Sequence, residues 1–186
     1  MSDIEDDWRN WEEDGLAFED ALAEAIEAWD GKSKADIAEV HDLLSTVDED
    51  YLDLLVDYIA EDDLSDGATW LLKHALENGT KVADLPDLSE ALEAATHSPR
   101  WPTQLHLLQI LPRLDLAGDL RQPAQGLVFT ALGSNRAMVR AWAYAGADQL
   151  ATTHADLRMR VMKILERARD EETAASVQAR LKHCRF

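Results

Sequence analysis

Cysteine, proline, glycine and long apolar runs are all scarce in this sequence, and each shortage removes a class of protein. The single cysteine, Cys184, has no partner for an internal disulfide and suits a reducing compartment. It falls in the last turn without an obvious partner base, so it reads as packing rather than nucleophile. Only 8 glycines and 5 prolines interrupt 186 residues, and β-branched alternation is missing, which leaves an all-α chain rich in helix formers. No apolar run approaches roughly 18 residues, so no membrane span is expected. The acidic start does not resemble a secretory signal, and a cytoplasmic location follows as the expectation. Motifs are missing as well. There is no Gly-rich phosphate loop, no Cys or His pair at zinc spacing and no Gly-x-Ser-x-Gly, so no cofactor, metal or catalytic residue is expected. The run Glu61–Gly67 has carboxylates but lacks the alternation and closing Glu of a calcium loop, and reads as a turn and helix cap. Six histidines, at 41, 74, 97, 106, 154 and 183, are scattered over separate helices and read as structural.

Charge is abundant and uneven. Residues 1–93 hold 29 Asp/Glu against 5 Lys/Arg, a net −24, and residues 94–186 hold 8 against 13, a net +5, which together give the −19 of the chain. Such asymmetry argues against salt adaptation. It fits a solvated acidic surface, a basic partner, or attraction between neighbouring repeats. Residues 1–14 carry seven of the acids with Trp8 and Trp11 three apart. They form either an acidic-aromatic docking peptide or a cap whose indoles pack back on the first helix.

Apolar residues recur at helical spacing through the rest. Leu16–Trp29 ends at Gly31; Ser33 and Asp36 resemble a capping box that opens the next helix. A third helix starts after Asp48. From Asp66 the helices come in pairs, with residues 80–86 as a linker. The stretch Ser134–Ala151 is nearly apolar around its circumference, with Val139, Ala143, Ala147 and Leu150 on one line and Arg136, Arg140, Tyr144 and Asp148 on another. A helix so apolar must be sandwiched between neighbours. Aligning the second helix of each pair matches Leu72, Leu107, Ala143 and Leu181, in steps of 35, 36 and 38 residues. Three residues earlier stand Thr69, Gln104, Arg140 and Gln178, all polar, which predicts a ladder of hydrogen bonds between adjacent repeats.

With Asn135, Val139, Arg140, Ala143 and Leu150, the chain resembles HEAT-repeat proteins in one copy, and more weakly over 48–186. The period is shorter than usual for that family, and the TPR and ankyrin signatures are missing. The resemblance implies a short right-handed α-α superhelix of about four to five antiparallel hairpins, with a curved face lined by the second helices. The expected organisation is an acidic segment at 1–14 and one α-solenoid domain at 15–186, with N-terminal helices at 15–47 and HEAT-like hairpins at 48–186. The expected face carries Trp70, Lys73, Arg100, Trp101, His106, Arg136, Arg140, Tyr144 and Lys182, and suits a protein or peptide partner, because Arg and Trp supply area and bidentate bonds. The competing expectation is that Arg136 and Arg140 pair with Asp148 and other carboxylates while Trp101 and Trp142 are core.

Three functions follow. The first is a non-catalytic interaction module. The second draws on some HEAT-like DNA glycosylases of similar size, whose Trp, Asp and Arg would here come from Trp101, Tyr144, Asp148, Arg136 and Arg140. The acidic balance opposes nucleic acid as a partner. The third is an acidic mimic or regulator that occupies a basic site on its partner.

Overall fold

A computed structural model describes residues 8–14, 17–82 and 85–186. It is helical, with no strand among the described residues, and none of the described helices is long and apolar enough to cross a membrane. The chain divides into two compact units, Met1–Pro86 and Asp87–Phe186. The boundary between them falls at the end of the expected linker, residues 80–86. The reason lies in the helix that precedes it.

The first unit contains α1 (Trp11–Asp14), α2 (Phe18–Glu27), α3 (Lys34–Leu44), α4 (Tyr51–Asp57) and α5 (Ser65–Glu77). α2 buries Ala21, Leu22, Ala25 and Ile26, one stripe at helical spacing, and keeps Glu19 and Asp20 in its first turn, where the helix dipole favours them. α5 is buried nearly all round, from Ser65 and Gly67 through Trp70 to Leu76, and packs against α2, α3 and α4. Enclosed in this way, it completes a core of its own. The turn from α2 to α3 uses Gly31 at φ 74°, and the Asp30 carboxylate accepts from the amides of Lys32 and Ser33. Ser33 Oγ then accepts from the Asp36 amide at 3.3 Å, the forward half of the expected capping box. Asp30, rather than Asp36, serves the Ser33 amide.

The second unit contains α6 (Ser89–His97), α7 (Trp101–Ile110), α8 (Arg121–Ala131), α9 (Ala137–Thr153), α10 (Arg158–Glu171) and α11 (Ala175–Leu181). α6 packs beside α8, while α7 packs beside α9 and α9 beside α11, so the second helices of three pairs lie next to one another in chain order. Leu107, Val139, Ala143, Ala147, Val161, Leu165, Val177 and Leu181 fill the space between them. Pro102 sits in the first turn of α7, where its missing N–H is harmless, and Pro112 closes that helix in a 3-10 turn. α9 begins at Ala137 after an extended Arg136, not at a side-chain cap on Ser134 or Asn135.

Candidate functional site

The connections inside the three pairs of the second unit share one geometry. Before α7, α9 and α11 the chain is extended at Arg100, Arg136 and Ala174. Ser98 Oγ accepts from the Arg100 amide at 3.1 Å, and Ser134 Oγ from the Arg136 amide at 3.2 Å. From the following helix, Gln104 donates to the Ser98 carbonyl at 3.0 Å, Arg140 to that of Ser134 at 2.9 Å, and Gln178 to that of Glu172 at 2.6 Å. In each case the donor reaches back six residues. Gln104 and Gln178 reach back nine as well, to Ala95 and Arg169.

The expected ladder is thereby corrected. These polar groups satisfy the carbonyls of their own pair's turn, where a helix C-terminus would otherwise lack donors. Thr69 does not belong to the set: it donates to the carbonyls of Ser65 and Asp66 in its own helix, as hydroxyls in helices do. The signal missed in the sequence was Ser-x-Arg at 98–100 and 134–136, six and four residues ahead of the recurring donor.

Arg140 alone of the three donors reaches the next pair. Its Nε and Nη2 donate to the two oxygens of Glu172 at 2.6 and 2.9 Å, a bidentate pair that is mostly shielded from solvent. The Tyr144 hydroxyl donates to the same carboxylate at 3.2 Å. The hydrogen bond from Arg140 holds the Glu172 carboxyl below the usual carboxylate range, against the opposing effect of burial. Burial, reinforced by Glu172, pushes the Tyr144 phenol up to about 12. The partner of Arg140 is thus Glu172. Asp148 instead accepts from the Arg185 and Phe186 amides and fastens the end of the chain.

Beside this network lies a cleft of about 480 Å³, lined by Leu132 and Gly133 after α8, Tyr144 on α9, and Ile164, Arg167, Ala168, Glu171 and Glu172 along and after α10. Arg167 and Glu171 pair across its rim at 2.7 Å, both exposed. At the position equivalent to Tyr144, the preceding pair has Leu108, fully buried.

The other expected face residues of this unit are placed as follows. Trp101 is 41% exposed at the start of α7, with the Arg136 guanidinium 5.4 Å above its ring. It is therefore not core. Trp142 is half-buried and is covered by Arg180 at 3.7 Å. Phe129 is covered by Arg160 in the same manner, so that in each case an arginine of the following pair lies on an aromatic of the one before. Arg100 and His106 are half-buried, and Lys182 is exposed. Burial and the nearby Asp148 push the Cys184 thiol up to about 11, far from a reactive thiolate.

Trp70 and Lys73 belong to the first unit. Trp70 is buried, touches Trp29, and stacks on His74 at 4.7 Å, while Lys73 lies over its ring and pairs with Glu77. His74 meets His41 edge-on at 5.1 Å, and His41 Nδ1 is 3.2 Å from the hydroxyl of buried Tyr51. Desolvation, then His74, lowers the pKa of His41. Trp8 is buried, at 6% exposure, under the Arg9 guanidinium, which in turn pairs with Glu39. Trp11 is half-buried with its ring edge-on to Phe18. The acids at positions 3, 5, 6 and 7 and the side chains of Glu13 and Asp14 lie outside the described residues.

Among the described residues, no group of three or more His, Cys, Asp or Glu is placed to hold a metal ion. No protein-family model, no curated protein and no solved structure matches the chain.

Proposed function

We propose that this protein is a non-catalytic interaction module in which residues 87–186 form a right-handed HEAT-like α-solenoid that binds a protein or peptide with basic residues. One observation carries the reading: the same turn recurs at Gln104, Arg140 and Gln178, with α7, α9 and α11 side by side. A repeated turn gives each hairpin the same internal geometry, and hairpins of one geometry stacked side by side present one helix of every pair to a ligand. Trp101 and Arg136 are in contact and exposed, and Met138 and Lys182 are exposed as well. An exposed Trp held under an Arg is the kind of anchor that dominates binding energy at interfaces. The excess acid of the chain favours encounter with a basic partner and disfavours nucleic acid.

The test is selection of peptides from a random library on the full-length chain. Basic peptides that bind at least tenfold more weakly to Trp101→Ala, and more weakly to Arg136→Ala, which uncovers the Trp101 ring, are the expected result, and failure to enrich any peptide refutes the module. Binding that ignores both changes but falls when exposed Asp62 and Asp63 become Asn favours the acidic-mimic reading. That alternative rests on the 26 acids against 5 bases of residues 1–86, a net −21.

A further inference from the structure

The cleft between α8, α9 and α10 has a lining of mixed character. Leu132, Ile164, Ala168 and the ring of Tyr144 give it apolar surface, and Arg167, Glu171 and Glu172 give it charge. Gly133 lines it without a side chain, and a Cβ there would meet only the Thr130 carbonyl, at 3.5 Å, so there is room for a larger residue. Two helices also end here, α8 at Ala131 and α10 at Glu171, and the carboxyl end of a helix carries partial negative charge.

The cations nearby are already committed. Arg140 is bonded to both oxygens of Glu172, and Arg167 to Glu171. The carboxylates still have acceptor capacity, because each oxygen has two lone pairs: Glu172 Oε2 accepts one bond from Arg140, and the Arg167 bond to Glu171 falls on Oε2 alone. An anion entering this space would meet the uncovered lone pairs of two carboxylates and two helix C-termini, with both guanidiniums already bonded. A purely apolar group would leave those lone pairs without a donor.

A chain of methylenes ending in a positive charge satisfies both parts. We infer that this cleft takes the side chain of a lysine or arginine from a partner polypeptide, with the stem along Leu132, Ile164 and Tyr144 and the head against Glu171 and Glu172. Long cationic side chains bury their stems on apolar surface in just this way. The inference rests on the interaction-module reading and gives that partner a residue type. Leu108 fills the equivalent place in the preceding pair and Lys182 in the following one, so the tyrosine is particular to the second pair.

The experiment follows backbone amide NMR signals of the full-length protein during titration with N-acetyl-lysine methylamide and N-acetyl-arginine methylamide. The norleucine and glutamate analogues serve as controls. Either cationic probe should shift Gly133, Ile164 and Ala168 with millimolar affinity, the norleucine analogue at least fivefold more weakly, and the glutamate analogue not at all. Gly133→Leu should abolish the shifts by filling the cleft. Glu171→Gln, an exposed change that leaves folding intact, should weaken them about threefold, as expected for one exposed charge. Shifts confined to the acids of the first unit, equal binding of norleucine, or an unchanged affinity in Glu171→Gln would overturn the inference. Peptides held through Trp101 and Arg136 while these probes leave the cleft untouched would sink the cleft and spare the module. Cleft shifts without any selected peptide would do the reverse.

Discussion

At the residue scale, Arg140 joins two jobs that its counterparts keep separate. Like Gln104 and Gln178, it satisfies the carbonyl of its own turn. Unlike them, it also fixes the next pair through Glu172. Arg140→Ala removes both and leaves a shielded carboxylate with only the Tyr144 hydroxyl, a loss of about 2–3 kcal/mol. Arg140→Gln retains a donor of the kind the other two turns use. It should cost about 1 kcal/mol less than the alanine variant in urea unfolding, because one backbone hydrogen bond is worth about that much. Equal losses for the two variants would mean that the bond to Ser134 contributes nothing.

At the scale of elements, glycine marks where helices approach most closely. A Cβ on Gly67 of α5 would lie 2.6 Å from Cγ2 of Ile26 on α2, and one on Gly146 of α9 would lie 2.8 Å from Cγ2 of Val128 on α8. Both neighbours are buried and β-branched, with little rotamer freedom to yield. Gly126 of α8 is different: its Cβ would meet Thr96 at 3.6 Å, an ordinary contact. One substitution therefore has two signs. Gly126→Ala should stabilise by about 0.5–1 kcal/mol through helix propensity alone. Gly67→Ala and Gly146→Ala should destabilise by about 1–2 kcal/mol, as overpacking outweighs that gain. Thermal unfolding of the three variants checks the contrast. The connections show the same division between local and distant causes. Pro102 and the Ser33 cap follow from the residues themselves, whereas the bond that ties α9 to the next pair, from Arg140 to Glu172, spans 32 residues.

At the scale of the molecule, the two units should respond to acid in separate windows. The folded-state pKa of His41 is lowered by burial and by His74, so the unfolded chain binds the proton more readily. Its contribution is fully present above about pH 6.5 and is lost as pH falls below that value through the folded pKa. Glu172 is also lowered, by Arg140, but its contribution is present above about pH 4.5 and lost only below. Hydrogen exchange should show the amides of α3 and α5 losing protection as pH falls below about 6.5, while those of α9 hold until more acidic conditions. Replacing His41 with Gln should flatten the first response alone. Loss of protection in both units over one shared window would refute this assignment.

The sequence by itself determined that the chain is helical, where most helices lie, which stripes are buried and that acid gathers in the first half. Each of these follows from composition and from a period of 3.6 residues, properties carried by neighbours along the chain. It also picked out Gln104, Arg140 and Gln178 as equivalent, because a polar residue at a fixed place in an apolar helix stands out. Only the tertiary structure decided that these residues turn back on their own pairs, that Thr69 is not one of them, and that Arg140 chooses Glu172 over Asp148. It alone drew Glu171, Glu172, Gly133 and Tyr144 around one cleft. Partner choice depends on which helix ends meet across 28 or 32 residues of chain, and no periodicity within one helix records that distance.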